Sequence, residues 1–177
     1  MTQAPSIVDL SRRTDMPAAF DERTMLTTFL NYTRLTVHQK CVAISQDSAG
    51  NAPLGTSPLI TIAGLVSHLR WVEAFWFDVV FLGRPDQAPY SDDDPDGEMR
   101  IGPSRPIQEL LQEYADQCAR NDAVIAATDL DAPSLRKNKA GEPIPLKWII
   151  THLIEETARH NGHIDLLREI ADGVTGD

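Results

Sequence analysis

Positive charge is scarce in this chain: 16 Lys and Arg stand against 26 Asp and Glu, a formal net charge of −10. Such a surface repels phosphate backbones, so neither nucleic acid nor an anionic membrane is an expected partner. Long hydrophobic runs are lacking as well. No stretch reaches the roughly 20 apolar residues that a membrane-spanning helix needs. The first residues, with Asp9, Arg12 and Arg13 and no apolar core, do not read as a signal peptide. Cysteine is limited to Cys41 and Cys118, far apart in the chain. Two such residues make no disulfide framework, which points to a cytoplasmic location, and both read as packing residues rather than nucleophiles. Repeats and low-complexity segments are absent too.

What remains is enough chain for one domain with a sizeable core, residues 1–177. Residues 1–20, with Pro5 and Pro17, read as an irregular lead-in. Asp21 can cap a first helix whose apolar residues Leu26, Phe29, Leu30, Val37, Cys41 and Ile44 repeat at helical spacing to about Ser45. Ser48 to Pro58 reads as a loop. A second helix is expected from near Thr61 to just before Gly83, with Leu65, Val72, Phe75 and Val79 inward and His68 in the middle of that face. Glu73 falls away from the stripe, as a surface or supporting group would.

Gly83 to Pro103 is a long loop whose Asp92, Asp93, Asp94, Asp96 and Gly97 partly imitate a calcium loop. That pattern needs a bidentate Glu where Pro103 stands, so a solvated acidic loop is expected, one that could fold over a site. Ser104 can cap a third helix with Pro106 in its first turn and an apolar face of Ile107, Leu110, Leu111, Tyr114, Cys118 and Ile125. Residues 133–142 read as a polar loop, and Pro143 and Pro145 open a fourth helix ending near Asp172, before Gly173. Four amphipathic helices joined by long loops imply an all-α protein, a four-helix bundle.

The last helix carries the chemistry. Ile149, Leu153, Ile164 and Leu167 recur on a helical period, and at about 100° per residue Glu156, His160 and His163 fall in the middle of the same stripe. Buried charge is costly unless paired or bound to metal. An i, i+4 pair of Glu156 with His160 on a partly wet face, and a hydrogen-bonded core His163, are the plain alternatives. A divalent ion would satisfy several of these groups at once, and His68 of the second helix is the obvious facing partner.

The stretch Gly64-Leu65-Val66-Ser67-His68-Leu69 with Glu73 and Trp76-Phe77 resembles the second helix of the DinB-like superfamily. Glu155-Glu156-Thr157-Ala158-Arg159-His160-Asn161-Gly162-His163, continuing to Arg168, resembles its metal-binding last helix. The resemblance covers nearly the whole chain from about residue 21. It implies a four-helix bundle holding a divalent metal, zinc or nickel, on His68, Glu156 and His160. The Glu form is similar to the metal-binding domain of mycothiol-dependent maleylpyruvate isomerase, although this chain is too short to hold that enzyme's second domain. A homodimer is a further expectation from the resemblance.

Three functions are then in play. The first is a metal-dependent thiol S-transferase or isomerase, in which a small-molecule thiol of the mycothiol type attacks an electrophilic substrate and His163 orients the ligands or moves a proton. The second is a non-catalytic metal-binding or stress-response protein. The third, a di-iron oxidase, needs inward Glu residues that the first and third helices do not offer.

Overall fold

The computed structural model describes residues 7–175. It is mostly helical, with four long helices, short helical turns and one small antiparallel hairpin. Helix α1 (Glu22–Lys40) starts where the Asp21 carboxylate accepts a hydrogen bond from Thr24 N. It stops at Lys40, short of the expected Ser45, because the chain turns at Cys41 and Ala43 takes a positive φ of 57°. A short helix α2 (Gln46–Gly50) follows, inside what the sequence presents as the end of one helix and the start of a loop. Phe29 is exposed; Leu30 and Val37 carry the apolar face of α1.

Helix α3 (Ile62–Ala74) begins as expected at Thr61, whose hydroxyl accepts from Gly64 N. It continues into a wider π turn, Phe75–Phe81, that keeps Phe77 and Phe81 buried and sets Trp76 against Trp148 and His152. The acidic segment is not all loop: α4 (Gly97–Ile101) and a 3-10 turn (Gly102–Ser104) lie within it. Helix α5 (Ile107–Ala127) is preceded by Pro106, and Ser104 does not cap it. Ser104 Oγ donates instead to Ile101 O, and the free Ile107 N–H is taken by the Gln46 side chain at 2.8 Å. The expected polar loop at 133–142 contains strand β1 (Pro133–Lys137), which pairs antiparallel with β2 (Pro143–Pro145). Helix α6 (Leu146–Asp172) therefore starts after the two prolines, and it ends at Gly173 with φ +74°.

Helix α1 packs on α6, and α3 packs on both α5 and α6. One core cluster gathers Val37, Leu65, Leu69, Leu110, Tyr114, Ile164 and Leu167; the other gathers Leu30, Phe77, Phe81, Ile125, Ile149 and Leu153. Both cysteines are buried, as their apolar surroundings in the sequence suggest. No helix among the described residues is long and apolar enough to cross a membrane.

Glu73 departs furthest from expectation. It is 1% exposed, and its two oxygens take a fork of hydrogen bonds at 2.6 Å each from Arg34 Nε and Nη2. Asn121 Nδ2 donates to the same carboxylate at 2.7 Å, and Arg34 Nη1 reaches Asp122. Glu73 ties α1, α3 and α5 together from inside, not from the surface.

His38 is also in the core, stacked on Tyr114 with ring centroids 5.6 Å apart. Burial pushes its imidazole down to about 4. The folded chain thus disfavours the proton that an unfolded histidine takes up near 6.5. The contribution of neutral His38 is complete above that value and is lost as pH falls from about 6.5 to about 4. The loss should amount to roughly 2–4 kcal/mol over that window. Denaturant titrations from pH 7 to 4 should show the decline, and His38→Gln should flatten this part of it.

Candidate metal centre

His68 reaches the site from the middle of α3, one residue after Ser67, and Glu156 and His160 reach it from successive turns of α6. The three are half-buried, and one ligand atom from each lies within 4.8 Å of the others. Among the described residues this is the group whose side chains could hold a metal. His68 Nε2 stands 3.4 Å from Glu156 Oε1, and His160 Nε2 stands 3.0 Å from the same oxygen. The rings meet edge to face, with centroids 5.0 Å apart. His163 does not join the three. Its Nδ1 lies 3.3 Å from His160 Nδ1, on the far side of that ring.

On α6 the stripe itself differs from the expected one. Ile149, Leu153, Thr157, Asn161 and Ile164 are fully or nearly buried, while Glu156, His160 and His163 sit along one edge of that face. An edge position leaves the groups half-desolvated and still within reach from outside.

Sequence reasoning missed Glu98. It lies on α4, and its Oε1 is 3.3 Å from His68 Nδ1. Its backbone carbonyl accepts from Ser67 Oγ at 2.6 Å, which ties α4 to α3 beside the histidine. Small residues permit this approach: a Cβ on Gly102 would stand 2.4 Å from Ala63 O, so only glycine lets the turn after α4 lie on α3. Glu98 sits in an aperiodic acidic stretch, so its only signal was the suspicion that the loop folds over the site.

The partners of the outer nitrogens favour one tautomer of each ring. Glu98 is an acceptor, so His68 donates from Nδ1 and turns the Nε2 lone pair inward. If His160 donates from Nδ1 to His163, its Nε2 lone pair also turns inward. Both lone pairs then face the Glu156 carboxylate, an arrangement of acceptors that only a cation or extra protons would relieve. The donor set, two imidazole nitrogens and one carboxylate oxygen, is that of a three-ligand divalent centre with an open position. The residues present therefore fit a metal.

The charges of the three groups act on one another, and a proton on His68 competes with a cation for the same place. Burial pushes His68 down, but the Glu98 and Glu156 carboxylates outweigh it and hold the imidazole above its ordinary value. His160 is lowered, first by burial and then by the neighbouring His68. Burial opposes the ionisation of Glu156, yet the two imidazoles win and keep its carboxyl below the usual range. Arg159 Nη1, 3.7 Å from Glu156 Oε2, adds positive charge on the outer side.

Glu98→Gln should hold the same space while weakening the grip on His68 Nδ1. Metal affinity should drop about 10–100-fold, the usual effect of losing a carboxylate behind a ligating imidazole. Competition against a chelating dye would read the change directly.

No curated protein matches the chain. A family model described as Mycothiol-S-transferase matches residues 25–173, a span that takes in His68, Glu98, Glu156, His160 and His163. The chain thus belongs to the Mycothiol-S-transferase family, within the DinB-like superfamily.

Proposed function

We propose that this chain is a single-domain, four-helix-bundle enzyme that transfers a small-molecule thiol, of the mycothiol type, to an electrophile, with a divalent ion held by His68, Glu156 and His160. The convergence of three ligand atoms, with the outer nitrogen of each imidazole engaged by Glu98 or His163, carries this reading. Imidazole and carboxylate together suit zinc or nickel. When bound, such an ion supplies positive charge that lowers the pKa of a thiol beside it, giving thiolate near neutral pH.

The chain's own cysteines do not compete for the nucleophile's role. Burial pushes the Cys41 thiol up to about 12, and burial raises Cys118 further still. The reactive sulfur therefore comes from outside. Glu156 offsets one of the two charges of such an ion, which leaves one positive charge to attract an anionic sulfur. Glu98 holds the His68 ring in register. His163 stands behind the His160 ring and orients that ligand, and the thiol's proton leaves to solvent at the half-exposed edge of the site. Sulfur then forms its bond to carbon, and the leaving group or the unsaturated electrophile accepts the displaced electron pair.

The test is thiol consumption by metal-loaded, tag-free protein supplied with mycothiol and a chromogenic electrophile. Turnover should depend on metal. His163→Ala should keep most of the metal and lose about 10–100-fold in rate, the usual effect of removing a group that orients a ligating imidazole. Metal-loaded protein with no turnover on any of several electrophiles would instead favour a binding role.

A further inference from the structure

On another side of α3 lies a cavity of about 310 Å³ walled by Arg70, Trp71, Asp78, Arg84, Asp86 and Arg120. Arg70 is two residues from His68, about 200° round the helix, so this cavity opens away from the metal ligands. Three guanidinium groups meeting at one place are unexpected in a chain with a net charge of −10.

Two of the three are already engaged. Arg84 is paired with Asp78, whose other oxygen accepts from Gln117, and Arg120 Nη2 donates to Gln117 Oε1. Arg70 is different. Its guanidinium carbon lies 3.4 Å above the centre of the Trp71 ring, and its Nε and Nη1 are shut off from water with no hydrogen-bond partner. Stacking on Trp71 holds the guanidinium flat but supplies no acceptor. Burying two cationic N–H groups without an acceptor is costly, and rotating the side chain so that they meet a ligand in the cavity would relieve it. Burial lowers the Arg70 pKa, while Glu113 and Asp78 raise it and Arg120 and Arg105 lower it, so charges of both signs stand around the guanidinium.

We propose that this cavity binds an oxyanion group, carboxylate or phosphate, of a small organic molecule. Arg70 pairs with it against Trp71, and Arg120 adds charge. Asp78 keeps Arg84 in place. The turn carrying Arg84 is fixed from behind, since Arg84 N donates to Asp78 O at 2.8 Å and Arg136 Nη2 reaches Arg84 O from the hairpin. The site stands apart from the proposed chemistry of the metal centre and does not depend on it.

The test uses the full chain, titrated separately with inorganic phosphate and with succinate at constant ionic strength. Melting temperature and the side-chain NMR signals of arginine are followed. Either probe, or both, should give a saturable rise in melting temperature and shift the Arg70 signal; the probe that binds tells phosphate from carboxylate. Arg70→Gln and, separately, Arg120→Gln should each weaken binding about tenfold or more while metal content stays unchanged. His68→Ala should leave anion binding intact. If Arg70→Gln unfolds the protein, as circular dichroism would show, Arg120→Gln carries the comparison. No saturable response to either probe would overturn the proposal. So would unchanged binding in the folded variants, or loss of binding in His68→Ala, which would place the anion on the metal.

Discussion

Glu73→Ala is expected to cost about 3–5 kcal/mol of unfolding free energy, the largest effect of any single change outside the metal centre. The substitution leaves Arg34, with a side chain 4% exposed, buried against only Asp122, which is half in solvent. It also strips Asn121 of its acceptor. A desolvated guanidinium without its carboxylate is the costly half of a broken buried pair, whereas the intact pair itself adds little. Since folded domains have about 5–15 kcal/mol in hand, the variant should sit near the edge of folding. Glu73→Gln, which keeps the shape and one acceptor, should lose less. Exposed pairs give the contrast: removing Glu109 from Arg105 should change stability by less than about 1 kcal/mol. Urea midpoints at constant m-value would separate the cases, and a loss below about 1 kcal/mol in Glu73→Ala would mean that the pair is wetter than its geometry shows.

The second large effect concerns metal. His68→Ala and His160→Ala each remove one of the three proposed ligands, and the remaining pair cannot enclose an ion in tetrahedral fashion. Bound metal should fall from about one per chain to near zero in both variants, and thiol transfer should fall with it. Glu156→Gln keeps a ligand oxygen but loses the charge that offsets the dication, so its affinity should fall as well. Helicity should survive in all three, because the long apolar faces of α1, α3, α5 and α6 hold the fold.

How much of this was legible beforehand follows from the kind of signal each feature leaves. The helices with regular apolar spacing read clearly: Thr61 and Asp21 cap α3 and α1, and Gly173 stops α6. The approach of His68 to Glu156 and His160 was legible too, although the α6 pair sits along the edge of the apolar face and not within it. The failures lie where a tertiary partner decides. Ser104 had the chemistry of a cap, yet Gln46, some 60 positions earlier, supplies the acceptor for Ile107. Glu73 seemed to point outward because periodicity reports only which residues are apolar, and its buried partner Arg34 is on another helix. The hairpin of β1 and β2 was hidden by its polar, proline-bounded sequence, which lacks the β-branched alternation of ordinary strands. Glu98 left no periodic trace at all; the glycines that let its segment lie on α3 became meaningful only beside Ala63 and Ser67.

The two findings bear on each other through α3. That helix gives His68 to one face, Glu73 to the interior and Arg70 to a third, so its backbone is held from several directions around the histidine. Glu73 variants that remain folded should therefore keep their metal, since the buried pair and the ligands use different sides of the helix. The most direct measurement is metal per chain, by mass spectrometry on tag-free protein, for the unmodified chain and for His68→Ala, His160→Ala and His163→Ala. About one divalent ion in the unmodified chain and in His163→Ala, with near none in the other two, is the expected result. Full occupancy in both His68→Ala and His160→Ala, or a chain that takes up no metal when it is offered, would contradict a metal centre at these residues.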